Sequence, residues 1–103
     1  MATFTGKRYT TMGVQNEIPI GVQIMMWAMI DEDRQLKKDL DYLQVFELKS
    51  LYENGRYIQQ VIHSQEQPRR RKSRVIDTDS TVSAKIFVID DISHVTMLLN
   101  SEY

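Results

Sequence analysis

Five cations fall within six residues at Arg69, Arg70, Arg71, Lys72 and Arg74. Guanidinium forks grip phosphate oxygens two at a time, so such a run can track a nucleic-acid backbone with steep salt dependence and little sequence preference. No aromatic residue is interleaved with the arginines to stack on bases. The run also conceals a charge asymmetry. The 103 residues carry 13 Lys plus Arg and 14 Asp plus Glu, a net of −1, but outside these positions 8 cations stand against 14 anions, a net of −6. An acidic body therefore carries one basic segment, and the body repels the polyanion that the segment attracts.

Asp90, Asp91 and His94 are the other grouping that could do chemistry. A turn can converge two carboxylates and an imidazole as oxygen and nitrogen donors, either for a metal or for acid–base work. Aspartates in such turns more commonly bond the local backbone, and a neighbouring histidine commonly joins them structurally. His63 and Glu66 are three apart in a run with strand character, which points them to opposite faces and separates them as ligands. The paired carboxylates Asp31 and Asp33, Asp39 and Asp41, and Asp77 and Asp79 lie in hydrophilic stretches and are expected to be solvated. No nucleophile elbow, phosphate-cradling glycine loop, paired zincin histidines or calcium loop occurs, so no cofactor, metal site or catalytic residue is expected.

The elements that must position these residues follow from periodicity. Lys7–Met12 suits a short strand ended by Gly13. Pro19 pre-sets a first helical turn, which predicts a helix from there to about Arg34. From Ile24 to Ile30 every residue of that helix is apolar, with methionines at Met25, Met26 and Met29. Apolar residues around the whole circumference mean a helix enclosed by its own domain or shared with a partner, and methionine adapts readily to a shared surface. Met25, Met26 and Met29 are therefore candidate partner contacts.

Tyr42–Glu53 and Arg56–Gln67 flank Asn54-Gly55, the dipeptide that most readily takes positive φ at both centres of a type I′ turn, and so predict a β-hairpin. A two-residue loop fixes the register: Glu53 opposite Arg56, Tyr52 opposite Tyr57, Leu51 opposite Ile58, Leu48 opposite Val61 and Phe46 opposite His63. Phe46, Leu48, Tyr52, Tyr57, Val61 and His63 then share the face expected to meet the helix. Leu43 and Val45 are out of phase with it, which calls for a bulge or for burial of both faces. Pro68 closes the second strand, and residues 68–74, extending as far as 82, read as a mobile basic loop. Ser83–Asp90 is a further strand. The stretch from Asp91 to Leu99 fits either a helix capped by Asp91 or a turn leading into a last strand, the latter favoured.

The expected fold is one α+β domain spanning residues 1–103, an antiparallel β-meander of four to five strands with one long helix packed on a face. Composition agrees, with 42% hydrophobic and 26% charged residues. Absence of cysteine excludes disulfides and zinc fingers and suits a reducing compartment. No apolar run of membrane-spanning length and no leader pattern is visible, so a cytoplasmic location is expected.

Arg8-Tyr9-Thr10-Thr11-Met12-Gly13, the block Asp41–Leu48, the segment Ile62–Pro68 and the ending through Asp90-Asp91, His94, Thr96–Leu99 and Glu102-Tyr103 resemble a small family of Gram-positive bacteria, the domain of unknown function 960. The resemblance implies a single-domain cytosolic protein of a kind often carried on plasmids and other mobile elements. It brings no reaction, cofactor or catalytic residue, and the Arg69–Arg74 run is not a fixed feature of the pattern. The residues themselves favour a non-catalytic interaction module that self-associates and binds a protein partner. An accessory nucleic-acid binder using Arg69–Arg74 is the alternative, and a small metal-dependent enzyme around Asp90, Asp91 and His94 is a remote one.

Overall fold

The computed structural model describes residues 2–103. Its elements are β1 (Lys7–Thr10), α1 (Met12–Glu17), α2 (Ile20–Gln35), β2 (Leu43–Glu53), β3 (Arg56–Glu66), β4 (Arg69–Ile76), β5 (Ala84–Asp90), β6 (His94–Leu99) and a closing 3₁₀ turn, Asn100–Glu102. The six strands form one sheet in the order β1-β6-β5-β2-β3-β4. All neighbours run antiparallel except β1 and β6, which are parallel.

This is not the expected meander. β5 pairs with the outer side of β2 rather than with β4, and the first strand closes on the last, so the sheet is mixed and has six strands. The expected loop at 68–74 is also overturned: Arg69–Ile76 is β4, paired along its length with β3 from Glu66–Arg69 to Gln59–Ile76. Arginine and lysine carry no strand propensity, so this strand is held by its partner and by what its side chains reach. The expected strand at Lys7–Met12 stops at Thr10. Thr11 turns the chain into α1 by capping, its hydroxyl accepting from Val14 N at 3.3 Å. Gly13 lets the ends of the Glu102 and Leu99 side chains come close, since a Cβ would lie 2.7 Å from each and oblige them to shift.

The hairpin register is the expected one at every pair named above, and Asn54 and Gly55 take φ of 52° and 81°. No bulge occurs near Val45, which stays in register with both β5 and β3; Leu43 pairs with Ile89 of β5, and both residues are half-buried on the far face. Phe46, Leu48, Val61 and His63 face the helix, whereas Tyr52 and Tyr57 run past its reach and are exposed, ring against ring at 5.0 Å.

α2 buries Val22, Met26, Met29 and Ile30, one stripe at helical spacing, on Phe46, Leu48, Val61, Ile86, Val88, Val95, Met97 and Leu99 of the sheet. The all-apolar stretch resolves accordingly. Its core face is buried, Met25 and Trp27 pack at the margins, and Ile20 and Ile24 are left exposed. Among the described residues, no helix is long and apolar enough to cross a membrane.

One strained residue stands out. Ile92, at the β5–β6 turn, has φ of 83° and is 95% exposed. A β-branched side chain at positive φ costs on the order of 1–2 kcal/mol, and here no burial offsets it. Ile92→Gly is therefore expected to raise stability by about 1 kcal/mol, a Tm gain of about 4 °C or more. An unchanged or lowered melting temperature would show that the strain is compensated.

Candidate functional site

Strand alternation divides the basic run. Arg70, Lys72 and Arg74 stand opposite Gln65, His63 and Val61, on the helix side; Arg69 and Arg71 lie on the far face. Arg70 Nη2 donates to Asp39 O at 2.6 Å and to Gln65 Oε1 at 3.1 Å. Lys72 Nζ donates to Met29 O at 3.0 Å and to Asp33 Oδ1 at 2.8 Å, and Arg74 Nη2 donates to Glu32 Oε1 at 2.9 Å. From the opposite edge of the sheet, Arg8 pairs with Asp31 and lies 4.7 Å over the Trp27 ring. The two edge strands thus clamp the acidic sequence Asp31-Glu32-Asp33 from both sides. The guanidinium beside Asp31 holds its carboxyl below the usual carboxylate range.

Two expectations are corrected here. Asp33 is not solvated: it is 3% exposed, with Lys72 at 2.8 Å and Lys38 at 3.7 Å. Its position continues the stripe of Met26, Met29 and Ile30 one further turn, a signal that periodicity carried. Among the candidate partner contacts, Met26 and Met29 are core residues at 0% and 1% exposure, so they meet the sheet and no other molecule; Met25 is half-buried.

Beneath the end of α2 lies a cavity of about 250 Å³, lined by Asp33, Lys38, Gln44, His63, Gln65 and Lys72 and flanked by Arg70. Its hydrogen bonds have a defined direction. Gln65 Nε2 donates to Pro68 O at 2.7 Å and Asp39 O at 3.1 Å, so Gln65 Oε1 is the acceptor for Arg70 and for Gln44 Nε2 at 2.9 Å. Gln44 Nε2 also donates to Asp41 O at 2.8 Å, which turns Gln44 Oε1 to His63 Nε2 at 2.6 Å. His63 therefore carries its proton on Nε2, and Nδ1 is a bare lone pair. Nδ1 is buried without a hydrogen-bond partner and faces Asp33 Oδ2 across 3.9 Å. Burial, with Lys72 next, pushes the His63 pKa down to about 4, so the ring is neutral; its plane stacks on Phe46 at 4.3 Å.

The turn residues separate. Asp90 is nearly buried and its carboxylate accepts from Phe4 N at 2.9 Å, Thr3 N at 3.2 Å and Ile92 N at 2.8 Å, tying the N-terminal segment to the sheet. Asp91 lies on the other side of the turn, its Oδ2 3.0 Å from His94 Nε2, and backbone and side-chain bonds from His94 and Ser93 lower its pKa. Only Asp91 and His94 meet, and they do so in the open. His63 is on the opposite face of the sheet, three strands away from His94. Among the described residues, no three His, Asp or Glu groups converge to hold a metal ion.

On the face turned from the helices, Leu43, Val45, Phe87, Ile89 and Leu98 adjoin through the pairs Leu43–Ile89, Val45–Phe87 and Phe87–Leu98. All five are half-buried and lie outside the main core cluster. Ile62 lies beside Glu47 on the same face.

A search of curated proteins finds no match to the sequence. Among solved structures, the crystal structure of a protein of unknown function from Enterococcus faecalis is similar over 100% of this chain and 96% of its own, with 29% identity and a TM-score of 0.73. The family model described as "Staphylococcal protein of unknown function (DUF960)" matches residues 7–102, β1 to the closing turn. With the fit running through every strand of the sheet, the chain belongs to the DUF960 family.

Proposed function

We propose that the protein is a non-catalytic interaction module that self-associates, the open face of its sheet packing on the same face of a second copy. The observation that carries this is the patch of Leu43, Val45, Phe87, Ile89 and Leu98, which neither α1 nor α2 covers and over which only the Tyr103 ring, against Phe87, and Lys85 reach. Sheets stack face to face at about 10 Å through such side chains. The patch crosses three neighbouring strands, β2, β5 and β6, and only with the whole six-strand face, on the order of 600 Å² at about 4.8 Å spacing, does the contact approach the roughly 800 Å² per partner of a stable interface. At the patch itself Glu47 stands directly opposite Lys85, while Arg69 and Arg71 lie two strands away on β4, outside the apolar centre. The methionines of α2 have no part in this contact; the surface expected on the helix is moved to the sheet.

Light scattering at tens of micromolar is expected to give a dimer, and Val45→Lys, which places a charge at the centre of the patch, a folded monomer. A wild-type monomer at that concentration would remove the proposal. Nucleic-acid binding is the weaker reading, because strand alternation splits the five cations between the two faces of the sheet and leaves no continuous basic track for a backbone.

A further inference from the structure

We infer that the cavity under α2 binds a small oxyanion that carries its own hydroxyl, of the hydrogen phosphate class. Charge comes first. Lys38, Arg70 and Lys72 surround the cavity against the single carboxylate of Asp33. Asp33 already has Lys72 and Lys38 beside it, and both hydrogen bonds that Arg70 makes with the described residues leave from Nη2, so Nη1 and Nε are free to donate. Three cations directed at one small volume suit an anion's oxygens.

His63 then narrows the class. The hydrogen-bond chain through Gln65 and Gln44 fixes its proton on Nε2, leaving Nδ1 as an acceptor that nothing in the described residues satisfies. Beside it, Asp33 Oδ2 also offers only lone pairs. A buried polar group in this state carries a desolvation penalty that a bound donor relieves. A fully deprotonated anion presents lone pairs to lone pairs at this point. An anion with an acidic O–H donates to Nδ1 or Oδ2 there while its remaining oxygens accept from Lys38, Arg70 and Lys72. Near neutral pH inorganic phosphate has such a hydroxyl, and sulfate has the same shape without one. The cavity, about 250 Å³, accommodates either.

The site lies on the helix side of the sheet, away from the patch proposed for self-association, so the two proposals succeed or fail independently. Calorimetric titration of the full chain with inorganic phosphate, and separately with sulfate, tests this one. Phosphate is expected to bind with a Kd below about 10 mM and sulfate at least about tenfold more weakly, the ratio one buried hydrogen bond supplies. On saturation with phosphate, the unprotonated ring-nitrogen resonance of His63 should shift as Nδ1 gains a donor. Arg70→Met, which keeps an apolar stem and leaves Gln65 Oε1 bonded to Gln44 Nε2, should weaken phosphate binding about tenfold. Equal affinities for the two anions, a His63 resonance that does not move, or no heat with phosphate up to about 10 mM would each overturn the proposal.

Discussion

Acidification from pH 7 to 5 is expected to remove about 2 kcal/mol of folding stability through His63 alone, and about 3 kcal/mol by pH 4. The folded ring titrates at about 4 and the unfolded one at 6.5. A base with a lowered folded pKa takes up its proton on unfolding, so its stabilising contribution is complete above 6.5 and falls away as pH drops towards 4. Burial drives the shift first; Lys72 and Arg70 reinforce it, and Asp33 and Glu32 oppose it. Urea midpoints measured at half-unit intervals would give the profile, and His63→Gln, which has no titrating ring, should flatten it between pH 7 and 5. A wild-type profile already flat across that interval would mean that Asp33 captures the imidazolium in a direct ion pair.

Lys72→Ala should cost about 3 kcal/mol, a Tm loss of roughly 15 °C. The reason is less the lost attraction than what it leaves behind. Asp33, 3% exposed with Lys72 in place, is left with Lys38 at 3.7 Å as its nearest cation and a neutral imidazole on its other side. A buried carboxylate in that state is destabilising, whereas removing both partners of such a pair is often neutral. The double variant Asp33→Leu with Lys72→Met should therefore recover most of the loss. Thermal melts of the two single variants and the double form the cycle. A Lys72→Ala protein within about 1 kcal/mol of wild type would mean that the pair is solvated in effect and the cavity wet.

What could be read from the sequence was whatever short-range chemistry decides. Asn54-Gly55 fixes the hairpin because its two residues take positive φ at little cost, and every pair on β2 and β3 follows from that. Pro19 starts α2 for the same kind of reason. β4 was illegible because composition argues for a solvated loop, and its strand state depends on partners far along the chain: the edge of β3 and the acidic end of α2. β1 joining β6 is likewise non-local. The site was half legible. His63 was placed on the helix-facing side from hairpin register, but its unpartnered nitrogen depends on the orientation of Gln44, which only the assembled network through Gln65 sets. Asp33 was missed although the buried stripe of α2 runs through it.

The parallel pairing of β1 with β6 has a consequence for synthesis. During translation, Lys7–Thr10 is made early and waits for its sheet partner while nearly everything else is threaded out. Val95, Met97 and Leu99, which complete the floor under α2, arrive with that partner. Until then α2 has an incomplete surface to dock on and its apolar residues remain open to solvent or to chaperones. The β2–β3 hairpin is local and needs none of this, whereas completing the floor under α2 is a contact of high sequence separation. A ribosome paused before residue 94 carries a chain that is unfinished in structure as well as in length.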